Sequence, residues 1–373
     1  MELNIKLFFS LIFLVLLSNC GESDGEAPFI PSSCSEGVVG PDILADTASL
    51  ASLNTGCFTA SGSTPIFQSG DLFTNAQWND PHVFKMNGEY VMYASASTGF
   101  DGNVKIYRLV SSNRTSWTLS PSGPVFQKAK SGFSAKSVET PGIVFFKGTW
   151  HMFYTAYETD YTNVNEYRVG HAYSCDGINW IRNPNPIISP THPNTTAAQD
   201  SDGDGEYDFN QYLVAEPAPV VFNDKLYLYY STQGYYSVVA DQLQSIGVVT
   251  SSDGFSWSDQ QVAVRPDQTS WPRATYKGFS TPNAIVIQNR MHLFFTVVDA
   301  SDNHQARLGY AYSTDGLSSW TQPAGSIFQD SDFTWTSREV RSPSMLIEGS
   351  TLHMWFAGDD SSTLGVGYAT CSL

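Results

Sequence analysis

Asp80, Glu139 and Glu216 each stand one or two residues before a proline, in NDPHVF, ETPGIVFF and AEPAPVVF. Two carboxyl groups held near one another can divide acid and base work, since one keeps its proton while the other stays ionised. That division of labour breaks glycosidic bonds: the protonated group assists departure, and the ionised group activates water or attacks the sugar ring. An aspartate before a proline is also a common turn opener, so one copy alone decides nothing. The question is what brings such residues together.

The answer lies in a repeat. NDPHVFKMNGEYVMYAS returns as ETPGIVFFKGTWHMFYTA, EPAPVVFNDKLYLYYST, STPNAIVIQNRMHLFFTV and RSPSMLIEGSTLHMWFAG, with prolines at 81, 141, 217, 282 and 343. Each copy reads as strand, tight turn and strand, with turn pairs such as Asn87-Gly88 and Lys147-Gly148. Four third strands follow as VGHAYS, IGVVTS, LGYAYS and VGYATC, and the turn SxDGxxW closes several of them. The aspartates of that turn, Asp176, Asp253 and Asp315, read as turn geometry rather than chemistry. Fourth strands are predicted at GPVF, NPII, QVAV and GSIF. The fifth copy runs out of chain, and TPIF at residues 64–67 supplies its missing strand. The predicted fold is therefore all-β: a five-bladed β-propeller whose last blade is completed by an N-terminal strand.

In such a fold the first strands line a central channel. The links entering them share a face with the loops SASTGFDGN, TAYETDYTNVNEY, STQGYYSVVADQLQ and VVDASDNHQAR, whose length and polarity mark it as the functional face. Strand alternation gives residues one before and one after each proline a common orientation, which puts Asp80 with His82, Glu216 with Ala218 and Thr281 with Asn283. Glu139 and Arg341, two before their prolines, would face away in a regular strand. His82, Asn283 and Arg341 are candidate substrate contacts, and Trp78 is a candidate stacking platform. His151, His292 and His353 recur beside apolar residues of the second strands and read as core.

NDPHVF, ETPGIVFF, AEPAPVVF and the SxDGxxW turns, over about residues 58 to 373, resemble glycoside hydrolase family 43 within the arabinanase, levansucrase and invertase superfamily. The resemblance implies hydrolysis of an arabinan-, xylan- or fructan-type saccharide, with a first-blade aspartate as general base, a second aspartate tuning pKa and a glutamate as general acid. Asp80 matches the base. Glu216 stands where the tuning aspartate is expected, and Ser280-Thr281-Pro282 stands where the acidic glutamate is expected. The reading is accordingly Asp80 as base, Glu216 as acid and Glu139 as reserve acid or modulator. The alternative is a carbohydrate-binding or adhesive surface propeller that lost its acid.

Between the second and third repeats, QDSDGDGEYDFNQ carries Asp200, Asp202, Asp204, Glu206 and Asp208 around glycines, an oxygen-rich pattern suited to a structural Ca²⁺. Position twelve of that loop is Gln211 rather than glutamate. At the N-terminus, an apolar run from Leu7 to Leu17 reads as a signal peptide over residues 1–19, and LSNC resembles a lipobox with Cys20 as the lipidated residue. Residues 20–56 read as a flexible tether and 57–373 as the propeller. The chain is thus expected to be exported, held to the cell envelope by a lipid anchor only, and monomeric. A net charge of -17 disfavours nucleic acid. Cys34, Cys57, Cys175 and Cys371 remain for disulfides, in a pairing the sequence leaves open.

Overall fold

A computed structural model describes residues 34, 38–44, 46, 53 and 56–373, except 100–102, 160–165, 195–196, 204–206, 237–238, 267–269, 273, 302–304 and 362–363. The signal peptide, Cys20, Asp204 and Glu206 lie outside the described residues. Apart from two single-turn 3-10 segments, the regular structure among the described residues is strand. Each sequence repeat forms an antiparallel hairpin: Ala76–Met86 with Glu89–Thr98, Ser137–Phe146 with Thr149–Tyr157, Leu213–Phe222 with Lys225–Tyr236, Tyr276–Ile287 with Arg290–Asp299, and Glu339–Glu348 with Thr351–Asp359. The turn residues Asn87 and Lys147 adopt positive φ, the geometry that a tight hairpin needs. Third strands then pair with the second strands, at Lys105–Ser111, Arg168–Ser174, Val239–Ser251, Arg307–Ser313 and Leu364–Ser372.

The fourth strand of unit three, Gln261–Val264, forms where QVAV predicted it and pairs with Ile246–Val248, whereas those of units one, two and four are broken. Thr118–Leu119, Ile181–Arg182 and Trp320–Thr321 pair beside the SxDGxxW turns, and Phe126, Ile188 and Phe328 pair again farther along the same third strands. The N-terminal segment repeats this broken pattern on the fifth unit. Thr59 and Ala60 pair with Thr370 and Ala369, while Phe67 and Gln68 pair with Val366 and Gly365. The expected closing strand at 64–67 is thus present at its C-terminal end. Units three and four share one sheet through a single parallel pair, Gln244 with Gly278, and any side chain at Gly278 would collide with the Gln244 carbonyl.

Each first strand packs beside the next, and that of unit five returns to unit one. Large aromatic side chains fill the spaces between units, including Trp78, Trp150, Phe153, Tyr229, Phe294 and Trp355, all essentially buried. The SxDGxxW aspartates serve the turns as expected. Asp176, Asp253 and Asp315 each accept hydrogen bonds from main-chain N–H groups two to four residues on. His151, His292 and His353 are buried in the core, and burial pushes each down to about 4.

The described residues of the stretch read as a tether, among them Cys34, 38–44 and Asp46, meet the base, the end of the molecule where the hairpin turns lie. Disulfides join Cys34 to Cys175 and Cys57 to Cys371. Asp42 accepts from the N–H groups of Asn87 and Gly88, Asp46 accepts from Gln288 N–H, and the Val39 carbonyl accepts from Trp150 Nε1. Gly40 lies directly on the Phe145 ring, where a side chain would not fit. A Gly- and Ser-rich composition is compatible with this path because the contacts are made by the main chain and by two turn-capping aspartates.

Candidate active site

Every first strand breaks register at its proline, with the residue before proline inserted as a bulge. That residue is left-handed in all five units: φ is 51° at Asp80, 53° at Thr140, 57° at Glu216, 43° at Thr281 and 52° at Ser342. None is glycine, so each conformation costs on the order of 1–3 kcal/mol and must be held by its surroundings. The bulge also breaks the period-two rule. Glu139 and Arg341, which a regular strand would turn away, line the same pocket as Asp80 and Glu216.

This pocket, of about 180 Å³, lies at the mouth of the channel among Asn79, Asp80, Glu139, Thr140, Glu216, Thr281, Gln305, Glu339, Arg341 and Ser342. Among the described residues no aromatic ring lines it. Below it the five prolines and the residues following them narrow the channel to a void of about 20 Å³. There Gly142 meets the Pro217 carbonyl so closely that a Cβ would clash.

The carboxyl groups differ in their partners. Asp80 is 8% exposed and accepts from Ser342 Oγ at 2.7 Å. Burial raises its pKa, against the pull of Ser342, the Arg341 charge and Ser95. Glu216 Oε2 accepts from Ser231 Oγ and, at 2.7 Å, from Thr281 N–H. Burial raises its pKa too, with those donors opposing the rise. Glu139 is pushed up to about 8, first by burial and then by the charges of Asp80 and Glu216. Arg341 pairs with Glu339, and its charge also acts on Asp80 and Glu216. A buried acid poised near neutrality beside two carboxylates is the arrangement acid-base chemistry requires.

Other candidates lie elsewhere. Trp78 is fully buried, packed on Phe67, Phe73 and Tyr107 with its Nε1 donating to the Asp71 carbonyl. It is core, because its register turns it away from the channel. His82 and Asn283 do face the channel, but within the proline constriction below the pocket. Burial depresses His82 to about 4, and Asn283 Oδ1 accepts from Met345 N–H. In the acidic link, Asp208 accepts from Thr191 Oγ1, His192 Nδ1 and Ser201 N–H and Oγ, while Asp200 accepts from Gly203 N–H. Gln211 is buried and bonded to Ala197 and Gln199. Among the described residues no three potential ligands gather as a metal site.

Glu339, Gln305 and Asn79 are pocket residues that the repeat comparison did not single out. Glu339 could have been found as the acidic residue two before Arg341. Gln305 lies in a loop without a repeat counterpart, so no local signal marks it.

A model of the glycosyl hydrolases family 32 N-terminal domain matches residues 210–367, which span units three to five. No curated protein matches the chain. Among solved structures, a glycoside hydrolase superposes with a TM-score of 0.63 at 14% identity, covering 89% of this chain and 92% of its own. An endo-arabinase from Bacteroides thetaiotaomicron superposes with a TM-score of 0.55 at 13% identity, covering 83% and 97%. The catalytic domain of a Coprinopsis cinerea family 62 α-L-arabinofuranosidase gives a TM-score of 0.58 at 14% identity, covering 86% and 98%. These likenesses establish the fold, an all-β architecture of the propeller type found in glycoside hydrolases.

Proposed function

We propose that the protein is a five-bladed propeller glycoside hydrolase acting on an arabinan-, xylan- or fructan-type saccharide. The observation that carries this reading is the meeting of Asp80, Glu139 and Glu216 in one polar pocket, with Glu139 poised near 8. Asp80 serves as the base. The acid is better assigned to Glu139 than to Glu216, since Glu216 is held by two donors that favour its ionised form. Glu216 then keeps the Glu139 proton in place by its charge. Arg341 and Glu339 bind sugar hydroxyls at the rim. A pocket of this size above a closed constriction suits one terminal sugar unit.

Export, with Cys20 as lipid anchor, belongs to the same proposal, as do a monomeric state and a structural Ca²⁺ at the 200–208 loop. The rival reading, a surface propeller that binds saccharide without cleaving it, is favoured by Ser280 and Thr281 in unit four, where no carboxylate stands. Sugar release from arabinan, xylan, fructan and aryl glycosides, run beside Asp80→Asn, separates the two. Binding without release by the wild type would move the conclusion to the rival.

A further inference from the structure

Four of the five strained bulges share one contact across the joints between units. The main-chain N–H of each bulge residue faces the second strand of the preceding unit, at the residue paired with the position two before that unit's own proline. That column reads Ser95, Thr155, Ser231, Thr296 and Ala357, opposite Asn79, Glu139, Ala215, Ser280 and Arg341. Thr140 N–H donates to Ser95 Oγ at 2.7 Å, Glu216 N–H to Thr155 Oγ1 at 2.7 Å, Thr281 N–H to Ser231 Oγ at 2.9 Å and Ser342 N–H to Thr296 Oγ1 at 3.2 Å. All four hydroxyl residues are buried, at 2% exposure or less. The fifth joint has Ala357, which offers Asp80 no hydroxyl.

We propose that this column of hydroxyls positions the carboxylates, with Thr155 and Ser231 fixing Glu216, and with Ser342 holding the Asp80 carboxylate at the joint where Ala357 offers no hydroxyl. The inference rests on the hydrolase reading for its effect on rate, and on geometry alone for its effect on Glu216. A hydroxyl has one proton to give and two lone pairs to receive with. Ser231 receives from Thr281 N–H, so its own proton goes to Glu216 Oε2, an acceptor that favours the ionised carboxylate. Thr155 fixes the main chain of the same residue. At the closing joint the order is inverted. Ser342, itself clamped by Thr296 and Thr281 through its N–H, turns its side-chain proton onto Asp80 Oδ1. Each carboxylate is thereby tied to the unit that follows it or closes on it.

The test has a kinetic arm and a titration arm. Thr155→Val should lower kcat about tenfold to a hundredfold with KM little changed, since small displacements of a reacting group cost rate at that scale. Thr155→Ser, which keeps the hydroxyl, should recover most of the loss. In Ser231→Ala the Glu216 carboxyl, followed by NMR, should titrate at higher pH than in the wild type because a donor to its ionised form is gone. Folded Thr155→Val with wild-type kcat would overturn the proposal, as would an unmoved Glu216 titration in Ser231→Ala. A wild type that releases no sugar from any substrate would instead remove the hydrolase reading, and the Glu216 titration would still decide the positioning.

Discussion

Glu139 at the channel mouth and Glu348 at the base are the same residue type on the same kind of strand, and they are held in opposite states. Glu348 receives Lys85 Nζ at 2.9 Å, Arg114 Nη2 at 2.9 Å and Tyr90 OH at 2.6 Å. Against the penalty of partial burial, these donors and charges hold it down to about 2. Glu139 is pushed up to about 8, first by burial and then by the two carboxylates it faces. The base cluster joins unit five to unit one by setting two cations on one carboxylate. The mouth gathers like charges that folding alone would avoid, and such a concentration is how an active site differs from a structural ion cluster.

The largest effect expected is on the mouth. Asp80→Asn should reduce sugar release by roughly a thousandfold or more, as loss of a general base does, while the far-ultraviolet dichroism stays native. Next comes Glu139→Gln. Wild-type activity should fall as pH rises through about 8, where Glu139 loses its proton, and fall at the acid end as Asp80, raised above its usual range, becomes protonated. The variant should lose about a hundredfold in kcat together with the alkaline limb, and an unchanged limb would take the acid role from Glu139.

The same substitution tests the electrostatic contrast through stability. A carboxyl whose folded pKa is raised contributes most below its unfolded value near 4.5, and that contribution is lost as pH rises to about 8. Glu139→Gln should therefore melt at a higher temperature than wild type at pH 8, with the advantage shrinking toward pH 5. Glu348 has the opposite sign. Its depressed pKa contributes stability above pH 4.5 that is lost as pH falls toward about 2. Glu348→Gln should cost about 1–2 kcal/mol at pH 7 by denaturant melting, a modest figure because the cluster is partly exposed to solvent. It should leave the pH limits of activity where they were. The smallest effect expected is chelation, where EGTA should lower the melting temperature by a few degrees if the 200–208 loop holds Ca²⁺.

A repeat scan singles out Asp80 and Glu216, which meet in one pocket, because both precede a proline in a copied motif. It misjudges Trp78, whose place on the rim in sequence becomes a place in the core once strand register is known. It undervalues Glu139 and Arg341 for one reason, the bulge. Alternation with period two is a property of a regular strand, and one inserted residue re-aims its neighbours. The hydroxyl column was legible in part, since YAS, FYT, YYS and FFT recur with WFA in the last copy. What those hydroxyls bind was not.

The sequence by itself determined the five copied hairpins, the SxDGxxW turns and the N-terminal strand that completes the fifth unit. The hairpins and turns follow from local periodicity and turn chemistry, which act within a few residues, and the N-terminal strand from the fourth strand that the fifth copy lacks. Only the tertiary structure decided the pairing of Cys34 with Cys175 and Cys57 with Cys371, the path of residues 38–46 across the base, and the gathering of Glu139 with Asp80 and Glu216. Those depend on how units far apart in the chain meet in space, and on left-handed bulges that the meeting holds in place.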